Sequence, residues 1–214
     1  MPGRGAAGVL LFVHRDVVPI FRKLLLALNS RGRVSPEVLS LHLVQPSMEA
    51  VLQLNHALRQ DPQMQSVENV AKIRPNNGVR DLLSGRRLPQ WIVEQYMLVL
   101  GVETVTEAFR AKYPNPNLTL QAGSIERGET VLQAAIRELY EESRILVHVK
   151  AIRTRPIRLL GGGLVMFPCF IDGHTLVRLT QNAVYIGRWE GLHEPPPGSP
   201  TPRLPAAAQQ PVAS

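Results

Sequence analysis

The segment from Gly123 to Ile145, GSIERGETVLQAAIRELYEESRI, constrains this chain more than any other, because it specifies a helix, its buried side and its chemistry together. Thr130 and Gln133 have the spacing of a capping box, in which each side chain satisfies a free backbone N–H at a helix start. Leu132, Ala135, Ile136 and Leu139 then recur at the i, i+3, i+4, i+7 spacing of an apolar face. Within the same helix, Glu138 neighbours both Glu141 and Glu142. Each such like-charge pair costs an isolated helix roughly 0.2–0.5 kcal/mol, and a bound hard divalent cation would reverse that penalty. At about 100° per residue the apolar stripe is centred roughly 120° from the acidic one. One face can pack on a core while the other lines a solvent-filled cleft.

The full spacing resembles the Nudix box: Gly, five residues, Glu, seven residues, Arg-Glu, an aliphatic, any residue, Glu-Glu, any residue, Gly, an aliphatic. Gly123, Glu129, Arg137, Glu138, Leu139, Glu141, Glu142 and Ile145 fall on it, and Arg144 stands where the pattern has Gly. A solvated acidic helix face would account for the glutamates but for neither Gly123 nor Glu129. Leu118 to Gly123 looks like the strand and turn that lead into such a box. The resemblance implies an α+β fold, the Nudix α/β/α sandwich with a mixed sheet. It further implies that Glu138, Glu141 and Glu142 hold Mg²⁺ or Mn²⁺, with Glu141 or Glu142 also orienting or deprotonating water. Backbone atoms at Gly123 would be additional metal ligands, and Arg137 would pair with Glu129 to brace the loop. Arg144 sits where a helix ends in a left-handed residue, a placement that costs a non-Gly residue on the order of 1 kcal/mol.

The chain has 214 residues, enough for one domain of ordinary size with an insertion or a tail. Its formal charge of +7 attracts polyanions, with nucleic acid the natural candidate. That attraction is non-specific and implies no DNA specificity, and aromatic residues for base stacking are only 5% of the chain. Cys169 is the only cysteine, which excludes an intrachain disulfide, and its apolar surroundings in MFPCFI predict a buried, inert thiol. No apolar stretch reaches the roughly 18 residues of a membrane span. The apolar start is short and broken by His14, Arg15 and Asp16, so it reads as a strand of a cytoplasmic protein rather than a signal peptide.

Along the chain, Ala7 to Val13 and Arg22 to Leu28 read as opening strands. The region 33–116 reads as helical: a helix capped by Ser47, a second from Ser66 through Ile73, a third from Pro89 to a stop at Gly101, and a fourth over Thr104 to Tyr113. After the box, Leu146 to Ile152, Leu164 to Ile171, His174 to Thr180 and Ala183 to Arg188 read as strands. Val184 to Trp189 resembles the late strand of the Nudix fold, and the helix after it is reduced to Glu190 to Glu194 or absent. This gives a discontinuous Nudix domain at 6–32 and 117–194, a helical insertion at 33–116, and a disordered Pro- and Ala-rich tail at 195–214.

A helical insertion ahead of the box resembles the layout of mRNA-decapping Nudix enzymes of large DNA viruses, with the host cytoplasm as compartment. That layout implies a capped RNA substrate and release of a methylated guanosine diphosphate. Arg153, Arg155 and Arg158 after the box, and Arg74, Arg80, Arg86 and Arg87 within the insertion, are the residues that could receive phosphate or RNA. Two other readings stay open. One keeps the site for small nucleotides, nucleotide sugars or diphosphoinositol polyphosphates. The other is a non-catalytic RNA-binding or regulatory module of the same fold.

Overall fold

An apolar strand with no polar interior position must be covered on both faces. In the computed structural model, which describes residues 5–31, 34–84, 87–104, 115–180 and 183–188, the first strand, β1 (Ala6–His14), has this environment. Ala7, Val9, Leu11 and Val13 face one hydrophobic cluster, and Leu10 and Phe12 face another. The chain continues through α1 (Val18–Asn29), β2 (Val38–Val44), α2 (Met48–Gln60), β3 (Arg74–Pro75), α3 (Asn77–Ser84), α4 (Gln90–Gln95) and β4 (Tyr96–Glu103). Then come β5 (Asn117–Thr119), β6 (Ala122–Ser124), α5 (Val131–Ser143), β7 (Ile145–Val147), β8 (Ile157–Leu159), β9 (Leu164–Ile171), β10 (Thr175–Leu179) and β11 (Val184–Arg188).

The main sheet runs β3-β5-β4-β1-β9-β8, with β2 also paired to β4 and β6 to β1. β1 and β9 are parallel from Ala6↔Leu164 to Val13↔Ile171, whereas β4 is antiparallel to β1. A smaller sheet runs β10-β11-β7. Helices cover both faces of the main sheet. Phe21, Leu25 and Leu28 of α1 and Ala134, Ala135 and Leu139 of α5 pack on one side. Val51 and Leu58 of α2, Val79 and Leu82 of α3 and Ile92 of α4 pack on the other. The α+β class with a mixed sheet and flanking helices is thus present.

One irregularity positions the site. β4 pairs with β1 only at Phe12 to His14, while β6 takes the same edge of β1 at Ala6 to Gly8. Further along, β4 pairs with β5 through Gly101↔Thr119 and Glu103↔Asn117. Leu120 and Gln121 therefore cross from the β4 side to β1 and are buried there.

Several local expectations hold. Ser47 caps α2 by accepting from the Ala50 N–H at 3.2 Å, and the strand expected over Leu164 to Ile171 is β9. Others need correction. Arg22 to Leu28 is helix, not strand: Pro19 occupies the first turn and Phe21, Leu25 and Leu28 bury one side, leaving Leu26 61% exposed. The residues after Ser66 form a short 3-10 turn at Val70–Lys72, because Asn69 takes a left-handed conformation (φ 60°) that interrupts a helix. The helix that begins after Pro89 ends at Gln95, and Tyr96 to Glu103 is strand β4, held between β1 and β2. Region 33–116 accordingly carries α2, α3 and α4 and also contributes β2, β3 and β4 to the main sheet. The strand expected over Leu146 to Ile152 stops at Val147, where a 3-10 turn follows, Val149–Ala151. The helix expected at Thr104 to Tyr113 falls outside the described residues after Thr104, as do the residues from Trp189 through the tail at 195–214. Among the described residues, no helix is long and apolar enough to cross a membrane. Cys169 is fully buried, and burial pushes its thiol up to about 12, in line with the inert role read from sequence.

Candidate active site

The capping box at the start of α5 is formed as its spacing implies: Thr130 Oγ1 accepts from the Gln133 N–H at 3.2 Å, and Gln133 Oε1 accepts from the Thr130 N–H at 2.8 Å. At the other end Arg144 adopts φ 57°, and its N–H reaches Tyr140 O at 2.9 Å. Its guanidinium lies over the Tyr140 ring, 5.6 Å from the centroid. The helix end therefore closes in the left-handed geometry without a glycine. With Ala135 and Leu139 buried in the core, Glu138 and Glu142 of α5 lie against β6, at Gly123 and the Ala122 N–H.

Arg137 organises that face. Its Nε and Nη2 form a fork to Glu129 Oε1 and Oε2 at 2.7 and 3.1 Å. Nη1 donates to Glu138 Oε1 and to Glu141 Oε2, both at 2.8 Å, and Nη2 also donates to Ser124 O at 2.9 Å. These bonds engage all the N–H groups of a guanidinium, so Arg137 braces the loop before the helix and has no donor left for a substrate in this arrangement. The Arg137 bond holds the Glu129 carboxyl below its usual range, with the Glu126 N–H adding to the effect. Glu129 and Arg137 thus meet as the sequence pattern implies.

Glu142 is 8% exposed and accepts the Ala122 N–H at 2.9 Å. Burial, then the nearby Glu103 and Glu138, push its carboxyl up to about 9 despite that hydrogen bond. Burial also raises Glu138, opposed by Arg137 and reinforced by Glu141 and Glu37. Gly123 sits against this pair: a Cβ built there would collide with the carboxylate of Glu138. The glycine is required by close approach rather than by backbone conformation.

Among the described residues, no three His, Cys, Asp or Glu side chains are gathered into a ready metal cluster. The carboxylates are held by protein donors instead: Glu138 and Glu141 share Arg137 Nη1, and Glu142 accepts the Ala122 N–H. Each keeps a second oxygen, and carboxylate oxygens are the donors that Mg²⁺ and Mn²⁺ prefer. Gly123 lets the Glu138 carboxylate approach the backbone closely, and the chemistry of this all-oxygen donor set fits a hard divalent ion.

The arginines singled out for phosphate or RNA are not gathered at this site. Arg87 pairs with Asp81 at 2.9 Å and donates to Arg158 O at 3.0 Å, tying α3 to β8. Arg158 is exposed on edge strand β8, and Arg155 is exposed in the preceding turn. Arg153 lies over the Phe170 ring, 5.9 Å from its centroid. Arg74 and Arg80 are exposed, with Arg80 Nε donating to Pro75 O at 3.1 Å, and Arg86 lies outside the described residues.

Two carboxylates not singled out from sequence, Glu37 and Glu103, act electrostatically on Glu142, and a third residue, Gln121, is buried beside Gly101. Glu103 is raised by burial and then by Glu37. The signal for Glu103 was a strand alternation, since Val99, Gly101 and Glu103 occupy one face of β4. Reading Tyr96 to Leu100 as helix concealed it.

A mixed sheet with helices on both faces, an Arg-braced acidic helix and a glycine pressed against it are the features that the resemblance to the box implies. Residues 98–200 match the family model of the NUDIX domain, which supports placing the chain in the Nudix superfamily and reading it as a Nudix hydrolase in general. No curated protein and no solved structure matches the chain.

Proposed function

We propose that this chain is a divalent-cation-dependent pyrophosphatase that cleaves a substrate linked through a nucleoside diphosphate, with the 5′ cap of mRNA as its substrate. The observation that carries the reading is the acidic face of α5, which carries Glu138, Glu141 and Glu142, with Glu138 closely approached by Gly123 and with Arg137 and Glu129 bracing one side. Glu138, Glu141 and Glu142, with backbone atoms at Gly123, would hold a divalent ion, which would supply charge neutralisation of the pyrophosphate and lower the pKa of the attacking water.

The chain's own residues account for the rest. Glu141 is half-exposed at its side chain and bound on one oxygen, so its free oxygen can receive a proton from water entering from solvent. Glu142 is the buried alternative for the same proton. Water adds to phosphorus, the bridging P–O bond breaks, and the departing phosphate oxygen retains the electron pair. On capped RNA the products are a methylated guanosine diphosphate and RNA ending in a phosphate. The net charge of +7 supports RNA as the longer partner, as do the exposed Arg153, Arg155 and Arg158. A decapping role would place the protein in the cytoplasm.

The test incubates purified protein with Mg²⁺ or Mn²⁺ and cap-labelled RNA, free cap analogue or a panel of nucleoside diphosphate derivatives, with Glu141→Gln and Glu142→Gln as controls. Metal-dependent cleavage of long capped RNA alone is the expected result. Turnover of small compounds with inert RNA would transfer the same site to small substrates, and no turnover of anything would leave a binding module.

A further inference from the structure

The chain holds two Trp, four Tyr and five Phe, and four of these rings meet at one end of the main sheet. Phe12 of β1 and Phe170 of β9 are paired in the parallel ladder, and their rings stack at 5.3 Å with 18° between planes. Tyr96 opens β4 opposite His14, and its ring makes edge contacts with His14 and with Phe170, both at 5.1 Å. Trp91, on the short α4 that leads into β4, completes the group at 5.4 Å from Phe170 and 5.8 Å from Tyr96. Core packing accounts for Phe12 and Tyr96, which are buried. It does not account for Trp91, which is 45% exposed.

This patch lies apart from the acidic helix. Phe12 and Tyr96 belong to the cluster covered by α2, α3 and α4, whereas α5 packs on the other face of the sheet. Ala7 pairs with Gly123 and His14 with Tyr96, a distance along β1 of about 23 Å at roughly 3.3 Å per residue.

The charged groups around the rings narrow the ligand. Arg153 is exposed with its guanidinium carbon 5.9 Å from the Phe170 centroid, and Arg155 is exposed two residues on. The carboxylates on the flanking segments are engaged: Asp16 with His14 Nδ1 at 3.4 Å and Glu94 with the Gln90 amide at 2.8 Å. Asp172 Oδ1 accepts from the His174 N–H and the Thr175 hydroxyl, both at 3.0 Å. An exposed indole backed by a second ring, with a guanidinium on that ring, suits a base that stacks while its phosphate meets a positive charge. Bases inside a duplex offer no free face, so the fit is to a single strand.

We propose that Trp91, backed by Phe170 and flanked by Arg153, is a stacking site for an unpaired base of single-stranded RNA. The inference shares its RNA partner with the function proposed above, but it uses neither a cation nor any residue of α5. At that separation the patch holds the body of an RNA rather than the end that is cut.

The test titrates dye-labelled single-stranded RNA with the full chain in EDTA, reading anisotropy, and follows quenching of Trp91 in a Trp189→Phe background. Trp91→Leu keeps apolar bulk without a ring and is expected to weaken binding roughly tenfold, within the range for one lost stacked base. Trp91→Phe should restore most of that loss, and Arg153→Gln should lower the salt slope by about one. A duplex of the same sequence should bind less well than the single strand. Thermal melting establishes that each variant folds. Wild-type affinity in Trp91→Leu, or equal binding of duplex and single strand without quenching, overturns the proposal. So does quenching by a synthetic peptide of the proline-rich residues 194–205 with RNA inert, which assigns the patch to the chain's own segment. Metal-dependent hydrolysis of free cap analogue, measured on wild type and on Trp91→Leu, keeps the two readings separate. Its absence from both, with Trp91-dependent RNA binding intact, sinks the reading of α5 and supports this one.

Discussion

Arg137 and Gly123 carry the site at the scale of single residues, one by what it binds and the other by what it leaves out. Arg137 neutralises carboxylates that would otherwise repel one another along α5, at the cost of every donor it has. Gly123 admits the Glu138 carboxylate into space that a methyl group would fill. A Gly123→Ala substitution should therefore push Glu138 off its position and lower Mn²⁺ affinity by roughly tenfold, the usual scale for a displaced ligand or its support. The melting temperature should move little, because Glu138 can swing outward into solvent. Titration with Mn²⁺ alongside thermal melting separates these outcomes, and unchanged affinity would show that the close approach has no bearing on the cation.

At the scale of elements, α5 is specified locally and then put to use by its neighbours. Its capping box satisfies N–H groups at the start, and Arg144 closes its end in a left-handed turn, so the helix has defined limits before it packs. Thr130→Ala should cost about 1 kcal/mol of folding stability by orphaning the Gln133 N–H. Urea unfolding would detect this as a lower midpoint with an unchanged slope. β4 behaves differently. Its run from Met97 to Val102 is apolar and without clear period, and it becomes a strand because β1, β2 and β5 offer it hydrogen bonds. Its final alternation then places Glu103 on the same face as Val99 and Gly101.

Across the whole molecule, the first hundred residues close onto the last hundred through polar contacts as well as through the sheet. Asp81 on α3 accepts the Leu160 N–H at 2.6 Å and pairs with Arg87, which in turn reaches Arg158 O. The Leu160 hydrogen bond first, then Arg87, holds the Asp81 carboxyl below its usual value of 3.8. Because the folded value is the lower one, this contact stabilises the fold fully above the ordinary carboxylate range. Its contribution is lost as pH falls through the folded value. Asp81→Asn should thus lower the melting temperature at neutral pH and narrow its gap from wild type in melts taken down to about pH 3. A constant gap across that range would remove Asp81 from the acid response.

The sequence alone determined α5, its cap and strands β1 and β9, while its left-handed end and the Arg137–Glu129 pair were what the resemblance to the box implies. Each of these depends on side chains a few residues apart or on a short apolar run with clear limits. Only the tertiary structure decided that 22–28 is helix and 96–103 strand, since three consecutive leucines and an unbroken apolar run carry no period that separates the two. It also decided that the Ala122 N–H meets Glu142 and that the Gln121 amide lies beside Gly101. Those residues are brought together by β4 leaving β1 for β5 and by the chain crossing back at Leu120 and Gln121. Strand exchange of this kind is set by long-range pairing, which local spacing does not encode.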